Sequence, residues 1–322
     1  MMQKRISTTS KLNRTARTSF IFMSDTHFGR KSGEQPDYEQ WGRLLQEAAR
    51  EAYGDAGSTV GCEGAGPAGS TMGCGNRLLV LGGDLVNKAD REEEWDMFFE
   101  AGGHALRSMN VITATGNKGK TRAVSYEDRF DLPSNGPAGN EQRFYSCDFG
   151  CCHFIVLDSN QMGEAEEPRV ETLQDWIRAD LKNTCQPVIF AVMHHPMITA
   201  GTSPEDEEKA EFMRRTYQPL LDGAGVDMIL CGHQHLYSRS RVIGTPVKGD
   251  PGMIQLMSVS GTKYFDGWDL SQMEIVREYV STATVFEADD AVIRLKTIDP
   301  EGNVLDELKR PLRPKNRKDK EI

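Results

Sequence analysis

The sequence is short of several features that would each fix a class of protein. None of its 322 residues fall in an apolar run long enough to cross a bilayer as a helix. It has no excess of basic charge. The net charge is −10, which argues against nucleic acid or an anionic membrane surface as the main partner, because both need a basic footprint. The opening, MMQKRISTTSKLNRTARTSF, is basic and Ser/Thr-rich but lacks the apolar stretch of a secretory signal, so a cytoplasmic location is expected. There is no C-x-x-C pair and no internal repeat. The seven cysteines, Cys62, Cys74, Cys147, Cys151, Cys152, Cys185 and Cys231, are odd in number and scattered. They form no disulfide framework and read as small apolar fillers of strands. A Cys62–Cys74 bridge has no support from the sequence.

What is present is a soluble globular composition, 38% hydrophobic and 27% charged, with enough chain to bury a sizeable core. Residues 1–18 read as a flexible arm, 19–309 as one domain and 310–322 as a basic disordered tail. Within the domain, residues 54–75 are rich in glycine and carry little to bury, so they read as a mobile insertion. Short apolar runs at 19–23, 77–81, 111–115, 153–157, 188–193 and 227–230 predict buried strands. Helical spacing joins Tyr38, Trp41, Leu45 and Ala48; then Trp95, Phe98, Phe99, Leu106 and Met109, with Asn110 as the stop; then Leu173, Trp176, Ile177 and Leu181. Residues 253–309 look β-rich, with a hairpin turn at Asp299-Pro300-Glu301-Gly302-Asn303, and predict a second sheet packed on an α/β first one.

The chemistry follows the apolar runs. After FIFM come Ser24-Asp25-Thr26-His27; after LLVL, Gly82-Gly83-Asp84; after VITAT, Gly116-Asn117; after VIFAVM, His194-His195-Pro196; after DMIL, Cys231-Gly232-His233-Gln234-His235. Each motif alone is compatible with an ordinary turn. Five in succession, all at strand ends, point to one crevice beyond the carboxyl ends of the strands. Carboxylate, amide and imidazole donors suit Mn, Fe or Zn and not a thiolate site. Alternation places His233 and His235 on the same side of an extended segment, a good geometry for binding two neighbouring metals.

This order resembles the calcineurin-like metallophosphoesterases. The segments Asn140-Glu141-Gln142-Arg143-Phe144-Tyr145-Ser146, HFIVLDSN at 153–160 and GHQHLYSR at 232–239 resemble the purple acid phosphatase branch. The resemblance implies a four-layer αββα sandwich, an α/β fold of two mixed β-sheets flanked by helices. It implies two divalent or trivalent transition-metal ions (Fe, Mn or Zn). One would take Asp25, His27, Asp84 and His235; the other would take Asp84, Asn117, His194 and His233. Asp84 would bridge, and His194 rather than His195 matches the family ligand, which stands two residues before the proline.

Two departures from the family pattern bear on activity. Asn87 occupies the position of the tyrosine that colours purple acid phosphatases, whereas His27 is present where those enzymes usually lack a histidine. The expected site is complete but not purple. Lys118 replaces the histidine of G-N-H-[DE], leaving the leaving-group proton to Lys118 or His195, while Tyr237 and Arg239 are candidate substrate contacts at the pocket rim. The implied activity is hydrolysis of a small phosphate monoester by metal-bound hydroxide. A phosphodiesterase on the same fold, and a catalytically weak metal- or phosphate-binding protein, are the alternatives.

Overall fold

Along the central strands, alternate residues bury into two different cores. In β5 (Cys152–Leu157), Phe154 and Val156 join one apolar cluster while Ile155 and Leu157 join another. In β6 (Val188–Met193), Phe190 and Val192 separate from Ile189, Ala191 and Met193 in the same way. A strand whose two faces are both buried reads as a continuous apolar run, as these do. The first cluster fills the space between two sheets and continues under the helices that carry Trp41 and Trp95. Its centre is Phe20, stacked 4.6 Å from Phe286 and meeting Phe154 and Phe190 edge-on at 5.1 and 5.0 Å.

The computed structural model describes residues 17–29, 38–54, 77–119, 129–163, 169–201, 203–244 and 247–313. The N-terminal arm up to residue 16, nearly all of the glycine-rich stretch with Cys62 and Cys74, and the tail from residue 314 lie outside them.

One sheet has six strands: β1 (Thr18–Met23), β2 (Leu78–Leu81), β3 (Asn110–Thr113), β11 (Ala283–Ala288), β12 (Val292–Ile298) and β13 (Val304–Pro311), in the order β13-β12-β11-β1-β2-β3. The other has seven: β4 (Tyr145–Phe149), β5, β6, β7 (Met228–Cys231), β8 (Tyr237–Ser240), β9 (Ile254–Met257) and β10 (Met273–Arg277), in the order β10-β8-β9-β7-β6-β5-β4. Both are mixed sheets. β1, β2 and β3 are parallel, as are β5, β6, β7 and β9, with antiparallel strands added outside them.

Helices cover the outer faces. α1 (Tyr38–Tyr53) buries Trp41, Leu44, Leu45 and Ala48 against β1 and β11 and packs beside α2 (Glu92–Arg107). α3 (Ser159–Met162) is a single turn after β5. α4 (Arg169–Asn183) places Leu173, Ile177 and Leu181 in the second cluster, with Leu220 and Leu221 of α6 (Gln218–Ala224). α5 (Pro204–Thr216) begins at Ser203, whose hydroxyl accepts from the Asp206 amide as an N-cap, with Pro204 in the first turn. The result is the four-layer αββα sandwich.

Three sequence expectations change. The late strands do not make a sheet of their own: β9 and β10 complete the seven-stranded sheet, while β11–β13 extend β1 antiparallel. The strand pattern gave the elements, but the choice of edge depends on partners distant in sequence. The helix with Trp95 ends at Arg107, and Asn110 opens β3 instead of stopping the helix. The chain does not become a tail at 310. Arg310 is buried, and Arg313 bonds Asp250 and the Val226 carbonyl and pairs with Asp222. Cys147, Cys151, Cys152 and Cys231 are buried fillers as expected, whereas Cys185 is exposed; all five are free.

A second charged feature sits away from the strand ends. The buried His153 ring is held between Asp148 (2.7 Å to Nδ1) and Asp180 (2.9 Å to Nε2). Burial alone would lower its pKa, but the two carboxylates raise it to about 9. A folded-state value above the ordinary 6.5 means the clamp stabilises fully below pH 6.5 and is lost as pH rises toward 9. The difference corresponds to about 3 kcal/mol. Unfolding free energies from urea titrations of wild type and His153→Gln are therefore expected to differ by that order at pH 6 and to converge by pH 9.5; parallel profiles would show that the clamp carries no such charge.

Candidate metal centre

The loops after β1 and β2 continue side by side beyond the last strand hydrogen bonds. The amides of Asp25, His27 and Phe28 donate to the carbonyls of Gly83, Asp84 and Leu85 at 3.0, 3.0 and 3.1 Å. This brings Asp25, His27 and Asp84 together. Six non-glycine residues among those described have positive φ, and five are Asp25, His27, Asp84, His233 and His235. Such conformations cost about 1–3 kcal/mol each and persist where surroundings force them. His233 and His235 therefore do not alternate along an extended segment. Residues 232–236 form a bent loop, and left-handed turns aim the two imidazoles. Close approach also demands glycine nearby: a Cβ at Gly116 would lie 2.1 Å from Asp84 Oδ1, and one at Gly232 would lie 1.9 Å from Asp25 Oδ2.

The donors form two overlapping groups, Asp25-His27-His235 and Asp25-Asp84-His194, all buried. His27 Nε2 is 3.6 Å from Asp25 Oδ1 and 3.4 Å from Asp84 Oδ2; His235 Nε2 is 3.5 Å from Asp25 Oδ1, and His194 Nε2 is 3.5 Å from Asp84 Oδ2. These separations are long for hydrogen bonds, yet they suit atoms that each sit about 2 Å from a shared cation.

The arrangement leaves the cation-facing atoms without other partners. Asp25 Oδ2 accepts from the Ser24 hydroxyl at 2.6 Å and the His233 amide at 2.8 Å, while Oδ1 has no hydrogen-bond partner. Both nitrogens of His27 are buried without one. Orphaned buried polar atoms are costly, and a metal ion would satisfy Asp25 Oδ1 and His27 Nε2, the nitrogen that faces the carboxylates. The other imidazoles are oriented by their far nitrogens: His194 Nδ1 faces the Gly82 carbonyl and His235 Nδ1 the Lys263 carbonyl, both at 2.9 Å.

The electrostatics agree. Burial opposes ionisation of Asp25, but His194, His27 and His235 outweigh it and hold its carboxyl well below the usual range. Asp84 is lowered in the same way, burial opposed chiefly by His194. Burial, with His27 and Lys263 nearby, pushes His235 down to about 3, leaving a neutral ring with a lone pair to donate. His194 rises to about 9 against its burial, through Asp84 and Asp25; a cation bound there displaces that proton.

Asn117 stands beside both oxygens of Asp84. With Nδ2 turned inward its amide donates to them at 3.2 and 2.6 Å; with Oδ1 inward, acceptor faces acceptor, which only an intervening cation reconciles. The Lys118 amide donates to Asp84 Oδ1 at 2.8 Å and its exposed side chain lines the cleft over the centre. That cleft, about 540 Å³, is lined by Asp84, Asn117, His233 and His235 together with Lys118, Lys263 and residues of the 203–206 and 265–268 segments.

Three sequence candidates do not reach it. His195 is buried, with Nδ1 2.8 Å from Ser159 Oγ and Nε2 3.2 Å from Lys209 Nζ. Both nitrogens are engaged with Ser159 and Lys209, and the ring packs 4.3 Å from that of His233. Tyr237 and Arg239 are not at the rim. Their side chains turn between the sheets onto Asp306 of β13, because β8 residues face inward at that register. Asn87 does not line the cleft; its amide bonds the Phe28 carbonyl.

Two contributors were not singled out as site residues from the sequence, although Asn160 ends the HFIVLDSN segment noted there. Asn160 of α3 donates its side-chain amide to the Thr115 and Gly116 carbonyls at 3.3 and 3.2 Å, fixing the Gly-Asn loop. Asp206, in the first turn of α5, meets His233 Nε2 at 2.8 Å and Gln234 Nε2 at 3.3 Å. With Nε2 so engaged, Nδ1 is the nitrogen His233 has left to offer. Carboxylates that orient ligating histidines are worth roughly 10–100-fold in metal affinity. Asp206→Ala is expected to weaken manganese binding by that order in a calorimetric titration, and an unchanged isotherm would show that the contact is incidental.

A two-sheet sandwich that gathers aspartates, histidines and an asparagine from the carboxyl ends of its strands has the architecture of a metallophosphoesterase. The chain belongs to the calcineurin-like phosphoesterase family, whose model matches residues 18–237; these are hydrolases of phosphate esters that use metal ions. It is similar to purple acid phosphatase 18 of Arabidopsis thaliana, 25% identical over 182 residues, covering 53% of this chain and 40% of that protein. Purple acid phosphatase 23 of the same plant is 32% identical over 123 residues, covering 36% and 24%. The chain thus spans less than half the length of these relatives. Among solved structures, the purple acid phosphatase PPD1 from yellow lupin superposes with a TM-score of 0.64 at 15% identity, covering 92% of this chain and 54% of that one. GAP50, described as the anchor in the inner membrane complex of Plasmodium, superposes at 0.61 with 14% identity, covering 94% and 90%. At these identities the likeness is one of fold.

Proposed function

We propose that this protein hydrolyses a small phosphate monoester at a dinuclear metal centre. The observation that carries the reading is the position of Asp84 Oδ2, 3.4 Å from His27 Nε2 and 3.5 Å from His194 Nε2. One carboxylate oxygen lies within reach of an imidazole from each set, which supports Asp84 as the residue the two sites would share. Asp25, His27, Asp84 and His235 would hold one ion, and Asp84, Asn117, His194 and His233 the other. When bound, such ions activate water and neutralise phosphoryl oxygens.

The chain's own residues supply the rest. Lys118, exposed at the wall, and Lys263 give the cleft positive charge against a phosphoryl dianion. The buried carboxylates stay ionised and immobile, and the Ser24 hydroxyl and His233 amide hold Asp25 in place. With both His195 nitrogens engaged by Ser159 and Lys209, proton transfer to the leaving group falls to Lys118, whose ammonium is a weaker acid than imidazolium. Manganese-loaded protein assayed against alkyl and aryl monoesters and diesters tests the reading. Metal-dependent release of phosphate from monoesters is expected, and a preference for diesters would replace the monoesterase with the phosphodiesterase.

A further inference from the structure

The cleft has an aromatic wall that neither metal binding nor phosphate neutralisation uses. Phe265 packs its ring 4.8 Å from that of His235, and its amide bonds the His235 carbonyl. Next along the same loop, Trp268 is 71% exposed although it lines the cleft. Its indole is not loosely placed. It lies so close over Gly201 that a Cβ there would come within 2.4 Å of Cδ1. The loop on either side is tied down by Asp269 N to the Ala200 carbonyl at 3.2 Å and Gly267 N to Glu278 Oε1 at 2.9 Å. Held this way, the indole gains little burial for the chain itself. Trp41 and Trp95, by contrast, are 2% and 1% exposed.

An exposed indole set against Gly201, on the wall of a cleft that also carries Lys118, Lys263 and the candidate metal ligands, matches a ligand that is anionic at one end and planar at the other. A volume of about 540 Å³ leaves room for a sugar and a base beyond the phosphoryl group. We infer that the substrate is a nucleoside monophosphate, with its phosphate between Lys118, Lys263 and the metal centre and its base stacked on Trp268. This rests on the phosphomonoesterase reading and adds the substrate class to it. Lys263, 4.7 Å over the Phe265 ring, joins the aromatic wall to the cationic one.

The experiment uses the full manganese-loaded chain with adenosine 5′-monophosphate and glycerol 3-phosphate. Base–indole stacking is worth roughly tenfold or more in affinity. Trp268→Ala is therefore expected to raise KM for the nucleotide and to lower the ratio of kcat/KM for nucleotide over glycerol phosphate by about that factor, with Trp268→Phe recovering most of it. The nucleotide should also quench tryptophan fluorescence saturably in wild type and not in Trp268→Phe. A ratio unchanged in Trp268→Ala, with glycerol phosphate still hydrolysed, overturns the inference and spares the hydrolytic reading. Saturable, Trp268-dependent quenching without turnover of either ester supports nucleotide binding while overturning that reading.

Discussion

Asp84→Ala should lose both metal ions and reduce phosphate ester hydrolysis by about a thousandfold or more. Its side chain is almost wholly buried, and its Oδ2 is the atom that His27 and His194 both approach. Its Oδ1 accepts the Lys118 amide, so the same carboxylate also fixes the Gly-Asn loop. Removing it takes an anion from between the imidazoles and frees Asn117. Metal charge contributes several kcal/mol of transition-state stabilisation, and about 4 kcal/mol is three decades in rate. Metal analysis of the purified variant, with manganese-dependent turnover, checks this. A variant that kept one ion at full occupancy would show that Asp84 serves a single site, and one that kept both would remove the bridge from the proposal. Asp84→Asn retains the loop contacts with less charge, and an intermediate metal content is expected.

Asp306→Ala is expected to cost about 3–5 kcal/mol of stability, the range for a buried charge that loses its partner. Asp306 accepts from the Tyr237 hydroxyl at 2.8 Å and from Arg239 at 2.7 and 3.1 Å, all buried between the sheets. Tyr237 in turn accepts from Thr297 at 3.0 Å. The ring and guanidinium come from β8 of one sheet and the carboxylate from β13 of the other, so the network ties the layers together. A total stability of roughly 5–15 kcal/mol makes this loss severe. Denaturant unfolding measures it. Adding Arg239→Met to Asp306→Ala should restore much of the loss, because the unpaired buried charge goes with it. A loss below about 1 kcal/mol in the single variant would mean that Arg239 finds water or another partner. The same result bears on Tyr237 and Arg239 as substrate contacts: their substitutions should act on unfolding and not on KM.

The sequence by itself supplied the candidate donors and the order in which they follow the strands. Asp25, His27, Asp84, Asn117 and His194 each follow an apolar run, and strand ends are legible because burial of both faces leaves a local signature of four to six apolar residues. Helix faces were legible for the same reason, and α1 spans the residues from Tyr38 to Tyr53 that its periodicity marked. Sequence also showed that residue 118 is a lysine where the family has histidine. It did not reveal α5, whose face is mostly charged and buries only Ala210 and Met213, so its period was invisible.

Only the tertiary structure decided what each side chain meets. His194 and His195 are neighbours of one type, yet one joins the carboxylates and the other turns to Ser159 and Lys209. Tyr237 and Arg239 read as rim residues until β8 is seen to face β13. His233 and His235 converge by left-handed turns that no periodicity encodes, and Asp206 reaches His233 from 27 residues away. The physical reason is common to all four. Periodicity and residue type are properties of a few consecutive residues. The partner of a buried charge and the aim of an imidazole are set by which strands share an edge and which sheet faces which, and those are fixed by contacts between distant parts of the chain.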